Sequence, residues 1–119
     1  MEKADFVENF RKRTKQFALD GIYLFRDLPN TEEARIIGKQ FLRSATSIAA
    51  NYRAACRARS KAEFHSKLSI TIEEADESIF WLELIWEANI LPKSKIENLL
   101  KEASEITAVL TKARKTVQS

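Results

Sequence analysis

One histidine, His65, and one cysteine, Cys56, set narrow limits on what this chain could catalyse. Carboxylates are plentiful, and in a helical protein they invite a di-iron reading. That site needs two Glu-x-x-His pairs with two further Glu facing inward. Position 62, three before His65, is Ala62, so the pair is missing. Glu73 and Glu77 stand one helical turn apart with no histidine in register, and no metal ligand set is assigned. His65 reads as a surface residue. Cys56 sits among Ala54, Ala55 and Ala58, near the expected end of a helix. A thiol is activated at a helix N-terminus and not at its far end, so Cys56 reads as packing. The two glycines, Gly21 and Gly38, make no phosphate-cradling loop. The acids Glu73, Glu74, Asp76, Glu77, Glu83 and Glu87 could supply an acid and a base, but nothing sets a substrate beside them. The expectation is a protein that is not an enzyme and uses no cofactor.

Basic residues offer a second kind of chemistry. Arg35, Lys39, Arg43, Arg53 and Arg57 recur at spacings of 4, 4, 10 and 4, which puts all five along one side of a helix. Arg59 and Lys61 extend the stripe, and Arg11, Lys12, Arg13 and Lys15 add charge from an earlier segment. Such a stripe can track a phosphate backbone of RNA or DNA. It can equally be spent on ion pairs, because residues 69–92 hold six acids and no base. Arg43 or Arg53 could then pair with Glu73, Asp76 or Glu77. Charge is unevenly divided: residues 1–61 carry a net +6 and residues 62–119 a net −3. Either reading accounts for that division.

Four helices would have to carry these groups. Only two Gly and two Pro in 119 residues argue against a turn-rich β fold. The first helix is expected from Asp5 to Leu28, stopped by Pro29-Asn30, with Phe6, Phe10, Phe17, Leu24 and Leu28 near one face and Gly21 as a weak spot. Asn30 with Glu33, Ser60 with Glu63 and Ser94 with Glu97 read as capping boxes for the other three. The second helix, Thr31 to Arg57, carries a stripe of Ala34, Ile37, Phe41, Ala45, Ile48, Tyr52 and Ala55. The third, to Ala88, has Leu68, Ile72, Ala75, Ile79, Leu82 and Trp86 in a seam spaced 4-3-4-3-4. Beyond that seam stand Phe80, Trp81, Leu84 and Ile85, a second apolar stripe that suggests a subunit interface. The fourth carries Ile96, Leu99, Leu100, Ala103, Ile106, Val109, Leu110 and Val117. Short connections between long helices predict an all-α, antiparallel up-and-down four-helix bundle as a single domain over residues 1–119.

Composition agrees: 45% hydrophobic and 31% charged residues make a globular profile. Neither a secretory leader nor a membrane span is read in the sequence, and with an unpaired cysteine this predicts a cytoplasmic protein.

The stretch Phe41-Leu42-Arg43-Ser44-Ala45-Thr46-Ser47-Ile48-Ala49-Ala50-Asn51 resembles the Arg-(small)-(small)-x-Ser-Ile-x-x-Asn signature of a family of bacterial four-helix bundle proteins. Its first-named members are encoded in intervening sequences of 23S ribosomal RNA genes. Ser60 to Phe64, Leu68, Ala75 to Ser78 and Trp81 to Leu84 are similar to the family's third helix, and Phe25 to Pro29 to the end of its first. The resemblance implies an up-and-down bundle that assembles as a homopentamer without established enzymatic activity. A related protein, the accessory variability determinant of diversity-generating retroelements, is a basic pentamer that binds nucleic acid and a reverse transcriptase. By that analogy RNA, DNA or a nucleic-acid enzyme is an expected partner. Arg43, Ser47, Ile48 and Asn51 carry over as packing and internal hydrogen-bonding residues. Where many members read Asn-x-Ala-Glu-Gly, this chain has Asn51-Tyr52-Arg53-Ala54-Ala55, which predicts a longer and more basic second helix.

Overall fold

The structure, a computed structural model, describes residues 3–118; Met1 and Glu2, part of the segment read for a leader, lie outside the described residues. Four helices follow in chain order: α1 Lys3–Asp27, α2 Glu32–Cys56, α3 Lys61–Glu87 and α4 Lys93–Gln118. They pack antiparallel, each against the next, as an up-and-down bundle 45 × 25 × 19 Å. The ring of neighbours is least tight where α1 meets α4.

Helix ends follow local chemistry. Pro29 has no N–H to continue α1, and the Leu28 N–H turns back to the Phe25 carbonyl at 3.2 Å. The cap of α2 is Thr31, one residue later than the expected Asn30; its hydroxyl accepts from the Ala34 N–H at 3.3 Å. Ser60 caps α3 as expected, accepting from the Glu63 N–H at 3.0 Å. At the end of α3, Asn89 takes the left-handed conformation with φ 58°. The Ile90 N–H then reaches the Ile85 carbonyl and the Asn89 N–H reaches that of Trp86, both at 2.9 Å. This closure satisfies two orphan carbonyls, and it folds Ile90 onto the core. α4 begins at Lys93, directly after Pro92, so Ser94 lies inside its first turn and does not cap it.

Core positions recur every three or four residues on each helix. Phe10, Phe17 and Leu24 come from α1; Phe41, Ile48 and Tyr52 from α2; Leu68, Leu82 and Ile85 from α3; Ile96, Leu99, Ile106 and Leu110 from α4. Each large apolar side chain so buried is worth about 1.5–3 kcal/mol. Small residues bring the helices together. A Cβ on Gly21 would stand 3.1 Å from Ala45 Cβ, and one on Gly38 would run into Leu28 and Phe25. Gly21 is therefore a contact point between α1 and α2, where the sequence suggested only a weak spot.

The seam of α3 differs from expectation. Its buried residues are Leu68, Thr71, Ala75, Ser78, Leu82 and Ile85. Ile72 and Ile79 are half-buried, and Trp86 is exposed. The buried line has rotated by one residue toward α2, because Ser78 and Ser44 meet there. The Ser78 hydroxyl donates to Ser44 Oγ at 2.8 Å, and Ser44 donates to the Phe41 carbonyl at 3.0 Å. Two small hydroxyls that satisfy one another can be buried closely. Hydrophobicity alone had favoured the larger neighbours.

Candidate nucleic-acid interface

Arg35, Lys39, Arg53 and Arg57 lie exposed along α2, on the side that its buried residues leave to solvent. None of the four has a carboxylate partner among the described residues. Arg57 also caps the helix, its N–H bonding the Ala54 and Ala55 carbonyls. α2 runs on through Ala54 and Ala55 to Cys56, which keeps Arg53 on regular helix and aligned with Arg57. Lys61 opens α3 and is exposed. Arg59, in the intervening turn, stands 3.5 Å from Glu63, but its side chain remains 89% accessible.

Arg43 is spent differently. Its guanidinium spans from α2 to α3, donating to Glu74 at 2.9 Å and to Glu77 at 2.7 Å. That geometry removes Arg43 from the freely available cations and assigns it the packing role that the signature implied. Glu74, unlike Glu77, was not among the partners expected from sequence. Arg53, the other candidate for such pairing, stays free of carboxylates. The Glu74 and Glu77 carboxyls face one another. Contact with Glu74 pushes the Glu77 pKa up, against the pull of Arg43. For Glu74, burial raises the pKa, but hydrogen bonds from Glu77, Arg43 and Ser47 outweigh it and hold it below the usual value. Asn51, the last signature residue, donates to the Ser47 carbonyl at 2.9 Å.

A contribution from α1 meets the stripe sideways. Arg11, Lys15 and Arg53 surround a shallow hollow of about 190 Å³ whose floor is Ala49 and Ala50. Two alanines leave the space that larger side chains would fill. Arg11 is held by Glu8 at 2.6 Å, which raises its own pKa and lowers that of Glu8. Lys15 and Arg53 have no such partner among the described residues. Arg13 does not join this face. It clasps α4 instead, through Glu102 at 2.6 and 2.7 Å and Glu105 at 2.5 Å. Nothing in the spacing of Arg13 marks it out from Arg11; only the α1–α4 register does.

The second apolar stripe of α3 divides. Phe80 is 51% exposed, with Trp81 and Leu84 half-buried beside it. Phe80 and Trp81 meet edge to face at 5.0 Å. The Trp81 indole N–H is buried without an acceptor among the described residues. Ile85 is fully buried in the protomer core and leaves the stripe, since the rotated seam takes it inward. Ile36, 58% exposed on α2, was not singled out from sequence. With Ser44 opposite Ser78, antiparallel register sets Ile36 level with the last turns of α3, beside that stripe.

His65 is half-buried, lining a surface hollow with Lys61, Ala62 and Val117; its Nε2 has no hydrogen-bond partner among the described residues. Glu73 is exposed, apart from the Glu74–Glu77 pair. No group of three or more His, Cys, Asp or Glu is placed to hold a metal among the described residues.

The sequence pattern of the 23S rRNA-intervening sequence protein family matches residues 9–112, across all four helices. The chain belongs to this family. A solved structure from Bacteroides thetaiotaomicron, described as a protein of unknown function from the S23 ribosomal protein family, is similar at 34% identity. The likeness covers 88% of this chain and 97% of that one, with a TM-score of 0.83. No curated protein matches the chain. Membership agrees with the bundle, and with a signature whose Arg43, Ser47 and Asn51 serve contacts inside the protomer.

Proposed function

We propose that this 23S rRNA-intervening sequence protein is a non-enzymatic, cytoplasmic homo-oligomer that binds RNA or DNA through the backbone phosphates. The observation that carries the proposal is the run of Arg35, Lys39, Arg53 and Arg57 along α2, exposed and without carboxylate partners among the described residues. Arg11 and Lys15 widen it across the Ala49–Ala50 hollow. Arginine suits this use because its planar fork grips phosphate oxygens in pairs. Symmetric repetition of the face, in a pentamer by family analogy, raises avidity for a polyanion. The outer residues Phe80, Trp81 and Leu84, joined by Ile36, are the surface we assign to contact between copies. No helix among the described residues is long and apolar enough to cross a membrane.

Fluorescence anisotropy with labelled single-stranded RNA and duplex DNA across a salt series tests this reading. The expected result is binding that weakens steeply with salt and shows little sequence preference. An Arg53→Ala/Arg57→Ala variant should lower the slope of log affinity against log salt by about 2 if both residues meet phosphate in each bound protomer. Arg43→Ala should leave that slope unchanged. Absence of binding at low salt, from an intact oligomer, would overturn the proposal.

A second reading has its own observation. The apolar outer stripe of α3 is flanked by the exposed Glu73 and Glu87, a surface that a basic protein partner would fit. An accessory role beside a nucleic-acid enzyme would follow. Capture of the same purified partner after nuclease treatment would favour it over direct nucleic-acid binding.

A further inference from the structure

At the end of the bundle where α1 begins and α4 finishes, the two helices part. Arg13 holds them together through Glu102 and Glu105. Beyond that clasp a cleft of about 440 Å³ opens, walled by Phe6, Phe10, Phe64, Leu68, Leu110 and Val117. This is the size of a small-molecule site. Its walls are almost wholly apolar, and its few polar side chains are mostly spoken for. Thr116 donates to the Lys112 carbonyl at 3.1 Å, and Tyr52 is hydrogen-bonded to Cys56. Burial pushes the Tyr52 phenol up, so it meets the cleft uncharged.

The cleft runs on into a second hollow of about 560 Å³ that shares Val7, Tyr52, Phe64 and Val117 with it. At the rim of that hollow stand Arg59, Ser60 and Lys61, and Lys112 stands at the rim of the first. Glu63 is engaged by Arg59; Lys61 and Lys112 have no carboxylate partner among the described residues. An apolar slot with a cationic mouth matches one kind of small molecule. We infer that this cleft binds a single-chain amphiphile with an anionic head, a fatty carboxylate, its chain between α1 and α4 and its head at Lys61, beside Arg59, where the second hollow opens. A nucleotide fits poorly, because the walls offer almost no hydrogen-bonding groups to a base or sugar. The inference shares Arg59 and Lys61 with the end of the basic stripe, while Arg35, Lys39, Arg53 and Arg57, which carry the nucleic-acid reading, do not line either hollow.

Displacement of dansyl-undecanoic acid from the full chain tests it, with competitors kept below their critical micelle concentrations. Dodecanoate should displace the probe at micromolar concentration. Dodecanol and dodecyltrimethylammonium, with the same chain, should be weaker by about tenfold or more, since charge-assisted contacts distinguish the heads. Lys61→Glu, a surface change that leaves the core alone, should remove that preference. Ala113→Trp, which fills the cleft, should abolish binding with helicity and oligomeric mass unchanged. No probe binding, or equal displacement by all three heads, would overturn the inference. So would a change of mass in Ala113→Trp, which would make the cleft a contact between copies.

Discussion

Arg43 holds two carboxylates that respond to it unequally, and their difference is testable. Glu74 is mostly buried, at 12% side-chain accessibility, and accepts from both Arg43 and Ser47; Glu77 is half-exposed and is crowded by Glu74. Replacing the inner acid removes a mostly buried carboxylate that accepts charge-assisted bonds from Arg43 and leaves a neutral amide in its place. Glu74→Gln should therefore destabilise the fold by about 1–2 kcal/mol at pH 7, read from urea unfolding. Glu77→Gln trades a contact with Arg43 for relief of repulsion and should stay within about 0.5 kcal/mol of the parent. The pH dependence has a definite sign. The folded pKa of Glu74 is lowered, so its contribution is present above the ordinary carboxylate value of 4.5 and is lost as pH falls through the lowered value. The Glu74→Gln penalty should shrink over that same acid range. Glu77, whose folded pKa is raised, contributes in the opposite sense and takes up its proton first.

Element packing depends on where side chains are absent. At Gly21 the obstacle to an added methyl is Ala45 Cβ, which has no rotamer to change. At Gly38 it is chiefly Leu28, the end of a flexible, half-buried side chain. Gly21→Val should thus force α1 from α2 and cost about 2 kcal/mol, more than any gain in helix propensity. Gly38→Ala should be near neutral, its gain of up to about 1 kcal/mol in propensity offset by repacking of Leu28. Circular dichroism melts compare the two directly. The same elements show what was legible in the sequence. Helix number, order and approximate ends were readable because Pro29, Ser60 and Pro92 act locally on their own backbone. The face of α3 was not. Buried Ser78 and Thr71 look polar in sequence, and only their pairing and carbonyl bonding make them core residues. The choice between Arg43 and Arg53 as the ion-paired arginine was likewise hidden, since it depends on the register of α2 against α3. The cleft beside Phe6 and Phe64 arises from the splay of two helices distant in sequence, which no local pattern encodes.

Across the whole molecule, the apolar surface and the basic surface lie on different sides of α2, so assembly and nucleic-acid contact can be separated. Phe80 offers the cleanest cut. It is half-exposed, projects away from the buried line of α3, and can become glutamine without adding charge or weakening helix propensity greatly. Phe80→Gln should cost protomer stability about 0.5–1.5 kcal/mol, the worth of its edge contact with Trp81. Ile85→Ala, five residues along and fully buried, should cost about 2–4 kcal/mol. If copies meet through the α3 stripe, light scattering should show Phe80→Gln at a lower mass than the parent under the same conditions. Its nucleic-acid affinity should fall with it, because fewer basic faces then act on one strand. The contacts made by each protomer would be unchanged, so adding the Arg53→Ala/Arg57→Ala changes to Phe80→Gln should weaken binding further. An unchanged mass would move the subunit contact off this stripe, and would leave Phe80 and Ile36 as a surface for a different protein.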